Sequence, residues 1–208
     1  LAKQIQAGLL NQGHECRIYA ADVREGGIEI GTRFGKKAHA FLSRLLGLQG
    51  YFSRSATRKL VRDLHIYEPD VVHLHNLHAN YLHFPTLFRY LQKHQIATFV
   101  TLHDCFLFTG KCSHYLKDGC YKWQTECGEC PRLKTDNKSW FFDRTKKMFL
   151  DKRHWFSELD NLNVIGQIGM HDVVIDVTGK KVKTNDDMFF NVRPIYIDSS
   201  IKRIYTKD

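Results

Sequence analysis

Two short stretches of this sequence concentrate side chains that can bind polar ligands or move protons. They are HLHNLH at residues 73–78 and TLHDC at residues 101–105. Imidazole changes its charge near neutral pH, while amide and carboxylate groups form hydrogen bonds with hydroxyl groups. A single histidine is most often a core residue, but two such clusters favour a functional site. The candidate residues are His75, Asn76, His78, His103 and Asp104.

Both clusters stand at the ends of predicted β-strands, one near residues 70–75 and the other near residues 97–102. The residues between them predict a helix over 84–93, because apolar side chains recur there at helical spacing. A strand–helix–strand unit predicts parallel pairing and an α/β fold. Ligands bind outside the carboxyl ends of such strands, so the two clusters should converge on one crevice. The apolar helix positions are Phe84, Leu87, Phe88 and Leu91.

The other periodic segments extend the α/β pattern. A strand near residues 15–20 is predicted to lie in one parallel sheet with the two strands above, and a helix is predicted over about 53–66. Residues 105–140 show little periodicity, which indicates a long insertion after the strand that ends near residue 102. A helix over residues 138–159 and a strand, NLNVIGQIG, follow the insertion.

The charge of the chain restricts its partners. The 208 residues include 31 Lys and Arg against 22 Asp and Glu, a net charge of +9. Such an excess suits nucleic acid, anionic lipid headgroups or phosphorylated substrates, and a solvated basic surface explains it equally well. No apolar run reaches the ~18 residues that a membrane span needs. The chain starts in a helical pattern with Leu1 and lacks an initiator Met, so we expect it to be a fragment.

Four of the six cysteines have a spacing that suggests a metal site. The spacing is C-x7-C-x6-C-x2-C, and its last pair, CGEC, resembles a zinc knuckle. Zinc binds four thiolates in a tetrahedron, which would make a closed structural site that stiffens the insertion. Disulfides in an oxidising compartment and plain reduced thiols are the alternatives. The four residues are Cys112, Cys120, Cys127 and Cys130, while Cys16 and Cys105 are predicted to be structural.

Three stretches together resemble a known family. Residues 1–20, residues 69–112 with both histidine clusters, and residues 119–166 with the cysteines are similar to the N-terminal domain of the family 4 retaining glycosyltransferases. The bacterial capsule and exopolysaccharide branch is the most similar. The resemblance implies the N-terminal half of a GT-B fold, in which a Rossmann-like parallel sheet carries a Cys-rich insertion. In such enzymes the N-terminal domain handles the acceptor, and a second domain holds a nucleotide sugar as donor.

The resemblance also implies roles for the clustered residues. His103 would face the donor sugar near the anomeric centre and help to stabilise a cation-like transition state. Asp104 would orient His103 or hold the turn. His75, Asn76 and His78 would line the acceptor side. The acceptor would be a sugar or a lipid-linked sugar, reached by a cytoplasmic protein in peripheral contact with the inner face of an anionic membrane.

The chain departs from the family pattern at both ends. The glycine-rich first strand that normally precedes the helix at Leu1 is not found, nor is the C-terminal donor domain, so we expect the chain to be inactive by itself. Residues 1–166 are predicted to form the acceptor-side domain. Residues 167–208 read as a β-rich tail that packs poorly on that domain. The tail is similar to the C-terminal segment of alanine-racemase-like pyridoxal phosphate enzymes.

A second hypothesis treats the chain as a zinc-stiffened basic binding module without catalysis, which contacts nucleic acid or another anionic surface. The cysteines match neither a C2H2 nor a zinc-ribbon pattern, and no recognition helix stands out. We therefore expect no nucleic-acid partner.

Overall fold

The computed structural model describes residues 2–23, 27–166, 195–197 and 204–206. These residues contain five α-helices, seven short strands and two 3-10 turns. The helices are α1 (Ala2–Asn11), α2 (Arg33–Leu46), α3 (Arg54–Tyr67), α4 (Phe84–Lys93) and α5 (Thr145–Ser157). The strands are β1 (Tyr19–Ala20), β2 (Ile28–Glu29), β3 (Val71–His75), β4 (Ala97–Leu102), β5 (Leu162–Gly166), β6 (Ile195–Ile197) and β7 (Ile204–Thr206).

The central sheet has the strand order β3-β4-β5, and both pairings are parallel. In the first pair, Val71 lies opposite Ala97 and His75 lies opposite Thr101. In the second pair, Leu102 lies opposite Gly166. The predicted strand–helix–strand unit and the α/β fold are confirmed. All three carboxyl ends therefore lie at one edge of the sheet.

The predicted position of the first strand is wrong. Only Tyr19 and Ala20 of the expected strand over 15–20 form a ladder, and they pair in parallel with Ile28 and Glu29 of β2 in a separate two-stranded sheet. The backbone groups of this strand are satisfied by β2, since Ile28 N donates to Ile18 O at 2.8 Å. The central sheet of the described residues therefore begins with β3.

The helices begin and end at recognisable caps. Thr32 accepts a hydrogen bond from Gly35 N at 3.1 Å at the start of α2, and Gly47 ends this helix with a φ of 68°. At the start of α4, the His83 side chain accepts from Thr86 N and Pro85 occupies the first turn. Such side-chain caps accept hydrogen bonds from backbone N–H groups that have no partner within the helix. Each cap typically stabilises the fold by about 1 kcal/mol. The predicted helices over 53–66 and 84–93 are confirmed within a residue at each end.

The core lies between α4, α5 and the central sheet. All four predicted apolar positions of α4 are buried, and Leu91 and Val100 of β4 have no exposed surface. The Phe88 ring stacks on Trp155 of α5 with ring centroids 5.9 Å apart and meets Phe156 edge-on at 5.0 Å. Full burial of one such side chain stabilises the fold by roughly 1.5–3 kcal/mol. Packing of α4 against α5 therefore holds the helix that follows β3 over the sheet.

The helix predicted over residues 138–159 is shorter, since α5 covers only Thr145–Ser157. The preceding residues make local bonds that a helix would break. Asp143 accepts from Thr145 N at 2.9 Å, and Ser139 Oγ donates to Phe142 O at 2.6 Å. Trp140 N donates to Arg44 O at 2.7 Å, which ties this segment to α2. Phe141 and Phe142, which lie in this segment before α5, are consequently exposed.

The predicted β-rich tail lies largely outside the described residues. Within it, β6 and β7 pair antiparallel, with Tyr196 opposite Tyr205. The division of the chain at residue 166 stays a prediction. No helix among the described residues is long and apolar enough to cross a bilayer.

Substitution of Gly50 by Ala tests the contact between α4 and the segment before α3. Gly50 has a φ of 81°, and an added β-carbon would lie 2.4 Å from Phe84 Cδ2 in the buried ring. Left-handed strain and overpacking together should lower the free energy of unfolding by about 2–4 kcal/mol. Urea unfolding of Gly50→Ala measures this loss.

The matched control is Gly8→Ala in α1, where nothing lies within 4 Å of an added β-carbon. This variant should be neutral or more stable, because Ala favours a helix by about 1 kcal/mol over Gly. Equal stability of the Gly50 and Gly8 variants would contradict the packing described here.

Candidate functional site

The carboxyl edge of the central sheet brings three histidines into one group. His73 and His75 lie two residues apart in β3 and so share one face of the sheet. Their ring centroids are 4.1 Å apart, and the His73 ring nitrogen Nε2 lies 2.8 Å from Thr101 Oγ1 of β4. His103 follows the last residue of β4. Thr101 lies opposite His75 in the parallel register, and His103 comes two residues after Thr101.

His75 and His103 are hydrogen-bonded to each other. His75 Nδ1 lies 2.9 Å from His103 Nε2, and the ring centroids are 5.2 Å apart. Both side chains are half-buried. The predicted convergence of the two clusters is therefore present in the structure, and His103 is not enclosed in the core beneath α4.

Asp104 pairs with a different histidine from the one expected. Its Oδ2 lies 2.7 Å from His78 Nε2, while its Oδ1 accepts from Phe106 N at 2.8 Å. The Asp104 carboxylate thus holds the turn, which is one of the two roles expected for it. The structure shows no bond from Asp104 to His103, because the loop after β3 places His78 against the carboxylate instead. Asp104 therefore orients His78.

Asn76 makes the turn that ends β3. Its φ of 39° lies in the left-handed region, which Asn tolerates better than most residues. The residue is exposed, whereas Leu77 beside it is buried. The turn allows Leu77 to enter the core and His78 to return to the edge of the sheet. A contact of Asn76 with an acceptor stays a prediction.

Burial keeps two of the three clustered histidines neutral. Burial, with a contribution from His103, lowers the pKa of His73 to about 4. Burial also lowers the pKa of His75 to about 4, and the neighbouring His73 and His103 add to the effect. Burial lowers the pKa of His103 as well, although Asp104 opposes this. The His75–His103 pair is therefore a neutral hydrogen-bonding unit at pH 7.

The second pair at this edge has the opposite electrostatic character. The hydrogen bond to Asp104 raises the pKa of His78 above its ordinary value, despite partial burial. Burial alone would raise the pKa of Asp104, but the bonds from His78 and Phe106 N outweigh it and hold that pKa below its usual range. Proton exchange at this pair can therefore occur closer to neutral pH than at His73 or His75. A neutral imidazole pair and an imidazole–carboxylate pair thus stand side by side.

His73 was missed as a site residue by sequence reasoning, although a signal was present. Side chains alternate along a strand, so His73 and His75 had to share a face. The alternation HLH in β3 therefore predicts a histidine row, with Leu74 turned into the core on the other face.

Two buried lysines support the loop that follows Asp104, and they too were missed. Lys152 of α5 is 3% exposed, and its ammonium donates to Phe106 O and, at 3.2 Å, to Gly110 O. Burial lowers the pKa of Lys152 to about 7. Lys111 donates to the carbonyl oxygens of Leu133 at 2.9 Å and Asp136 at 2.5 Å. These bonds fix the irregular insertion, which has few backbone ladders of its own.

The four-cysteine site is only partly assembled. Cys112 Sγ lies 3.9 Å from Cys130 Sγ, whereas Cys127 Sγ accepts from Gly110 N at 3.2 Å. The two sulfurs of the CGEC turn therefore have different partners. Across the described ranges, no group of three or more His, Cys, Asp or Glu side chains could hold a metal ion. The predicted zinc site also needs Cys120 and Cys127. Only the Cys112–Cys130 pair has a geometry that supports it.

The two cysteines predicted to be structural have different surroundings. Cys105 has no exposed surface, and burial raises its pKa to about 11. Cys16 is half-buried, and burial raises its pKa as well. Neither thiol carries the site.

The depressed pKa values of His73 and His75 predict acid sensitivity. A histidine whose folded pKa is about 4 binds fewer protons than the unfolded chain between pH 4 and its ordinary pKa near 6.5. The free energy of unfolding should therefore fall as the pH drops from about 6.5 towards 4. Each histidine should contribute roughly 1 kcal/mol between pH 7 and pH 5, about half the full linkage value, because partly exposed groups are screened.

Urea unfolding at pH 7 and pH 5 measures this loss. His73→Asn should reduce the difference between the two pH values, whatever its effect on stability at pH 7. His154→Asn is the control, because that side chain is 67% exposed. The same pH difference in the parent chain and in His73→Asn would contradict the assignment.

Comparison with known proteins agrees with this geometry. The model of the family Glycosyltransferase Family 4 matches residues 2–133, which include both histidine clusters. Among curated proteins, the chain is 33% identical over 96 residues to the putative colanic acid biosynthesis glycosyl transferase WcaC of Escherichia coli (strain K12). That match covers 44% of this chain and 23% of the relative, so the chain spans less than a quarter of the relative's length there. No solved structure matched the chain.

The expected resemblance is thus confirmed by a family model and by a relative. The parallel β3-β4-β5 sheet, with its polar residues at the carboxyl edge, is the α/β architecture that the resemblance implied. Since the family model covers more than half of the 208 residues, this chain belongs to glycosyltransferase family 4.

Proposed function

We propose that this chain is the acceptor-side domain of a glycosyltransferase that moves a sugar from a nucleotide-sugar donor to a glycan or lipid-linked acceptor in polysaccharide biosynthesis. Family membership and the relative named for colanic acid biosynthesis support the reaction class and the pathway type. The observation that carries the proposal is the hydrogen-bonded His75–His103 pair at the carboxyl edge of β3 and β4.

The neutral pair suits a sugar ligand. Each ring nitrogen of a neutral imidazole is either a donor or an acceptor, and one nitrogen of each ring is committed to the 2.9 Å bond between them. The other nitrogen remains for hydroxyl groups of a ligand or for protein partners. One ring nitrogen of His73 is already hydrogen-bonded to Thr101 at 2.8 Å, and this bond fixes the His73 ring beside His75. We assign His103 to the donor sugar near the reacting carbon, and His75 to the acceptor.

The pair of His78 and Asp104 supplies charge at the same edge. Positive charge develops on the sugar ring during transfer, and a carboxylate nearby stabilises it electrostatically. Asp104 is 15% exposed and already bonded to His78, so its position is fixed before a ligand arrives. We therefore assign Asp104 an orienting role through His78, with Asn76 at the rim of the acceptor side.

The remaining parts of the proposal concern the setting of the enzyme. The nucleotide sugar would be held by a second domain, and the acceptor would be a sugar or a lipid-linked sugar at the cytoplasmic face of an anionic membrane. The net charge of +9 supports peripheral contact with such a surface.

A structural zinc ion also belongs to the proposal. The Cys112–Cys130 separation of 3.9 Å is close to the edge of about 3.8 Å expected for thiolates that are each ~2.3 Å from zinc. Cys120 and Cys127 would have to move towards this pair. Metal analysis of protein purified without chelator would find about one zinc ion per chain, and two disulfides without metal would exclude the site.

Substitution of His103 tests the catalytic assignment. In the enzyme with its donor domain, His103→Ala should lower turnover by on the order of 10²-fold while acceptor binding changes little, because its contacts strengthen as charge develops. Sugar transfer from a nucleotide sugar to a lipid-linked acceptor provides the assay. The readouts are kcat and the acceptor KM.

The matched comparison is His75→Ala, its hydrogen-bonded partner, which should mainly raise the acceptor KM. Circular dichroism of both variants checks that the fold is kept. Near-normal turnover in His103→Ala would show that this histidine only supports the structure.

A further inference from the structure

A basic groove of about 470 Å³ lies between α3 and α4. Its lining contains five basic side chains, four arginines and one lysine. We call these five residues the groove cations. They are Arg54, Arg58, Arg62, Arg89 and Lys93.

The spacing of the groove cations opposes folding. Arg54, Arg58 and Arg62 are four residues apart along α3, so each lies one turn from the next on one helix face. Arg89 and Lys93 repeat this spacing on α4. Like charges at such positions destabilise a helix. The arrangement therefore has no explanation in the stability of the two helices themselves.

Within the described part of the chain, the groove cations also lack acidic partners. None of them takes part in an ion pair among residues 2–23 and 27–166. The acids on or next to α3 are Asp63 and Glu68, and neither pairs with a groove cation. The positive field is felt inside the domain, because Arg54, Arg89 and Arg58 add to burial in lowering the pKa of His83. An external anion would remove this repulsion.

We propose that the groove binds the phosphate headgroups of anionic membrane lipids and so holds the domain on a membrane surface. The inference deepens the peripheral membrane contact proposed above and names the residues that make it. Guanidinium groups pair with phosphate oxygens through two parallel hydrogen bonds, and each Lys or Arg near an anionic leaflet adds to binding.

A lipid surface fits the groove better than a single small anion does. Three arginines extend over two turns of α3, about 12 Å, and all of them are exposed. They form a wide, open cationic surface. Ile66 stands one turn beyond Arg62 on the same face and is 80% exposed. An exposed apolar side chain beside cations is suited to the boundary between headgroups and acyl chains.

The groove also has a suitable position for an acceptor attached to a lipid. Thr86 lines the groove and belongs to the first turn of α4. This helix starts after the short loop that leaves the carboxyl end of β3 at His75. One end of the groove therefore lies at the end of α4 that is connected to the histidine site, and a membrane-bound acceptor could approach from that side.

Vesicle binding tests the proposal with the whole chain. Cosedimentation is measured with vesicles of phosphatidylcholine alone and with vesicles that also contain phosphatidylglycerol. The chain should bind the anionic vesicles only, and added salt should weaken binding. Combining Arg58→Gln, Arg62→Gln and Arg89→Gln should lower the partition coefficient by roughly 100-fold.

The matched control removes three charges from another exposed helix face. It combines Arg33→Gln, Lys37→Gln and Arg44→Gln in α2, and it should bind nearly as well as the parent chain. Equal losses in the two triple variants would overturn the proposal, because net charge alone would then explain binding. Circular dichroism verifies that both variants fold.

Two other anions are tested as alternative ligands of the groove. Binding of inorganic diphosphate or of a short RNA that is lost in the groove variant, without binding to anionic vesicles, would overturn the lipid assignment. The assay contains neither a donor nor an acceptor sugar. Its outcome is therefore separate from that of the sugar-transfer assay, and either proposal can fail while the other stands.

Discussion

Parallel pairing of β3, β4 and β5 is the constraint on which the site depends. In a parallel sheet all carboxyl ends meet at one edge, so residues that end successive strands become neighbours although they are distant in sequence. The register that places His75 opposite Thr101 brings His103, 28 residues further along the chain, within 2.9 Å of His75. A shift of the register by one residue would turn one of the two rings to the other face of the sheet.

The sheet keeps this register because its faces are covered. On one side α4 packs its apolar residues under α5, and the Phe88–Trp155 stack joins the two helices. Beyond the sheet, the loop after Asp104 has no ladder, and it is held by the ammonium groups of Lys152 and Lys111. A buried ammonium is costly unless carbonyl oxygens surround it, so these lysines also restrict the loop to one path. Fixed hydrogen bonds of this kind are suited to a binding site whose polar groups are positioned before a ligand arrives.

Two surfaces of the domain differ in their charge. At the carboxyl edge, burial keeps His73 and His75 neutral, and one carboxylate is matched to His78. On α3 and α4, the groove cations are repeated at one-turn spacing without acidic partners among the described residues. A neutral polar site suits sugar hydroxyls, whereas an uncompensated basic groove suits phosphate. Under the two proposals made above, these surfaces would separate recognition of the sugar from attachment to a membrane.

The sequence by itself determined the βαβ unit, the helices α3 and α4, the family, and the meeting of the two histidine clusters. The family followed from the resemblance of three stretches, and the other features followed from a local period or from the rule that ligands gather at strand ends. The tertiary structure decided which residues pair within the cluster. Asp104 contacts His78 and not His103, because the loop through Asn76 and buried Leu77 brings His78 back to the edge. It also decided that β1 pairs with β2 outside the central sheet, and that Cys127 and Cys130 of one turn contact different partners. These outcomes depend on contacts between segments that are distant along the chain, and no local pattern of residue types records them.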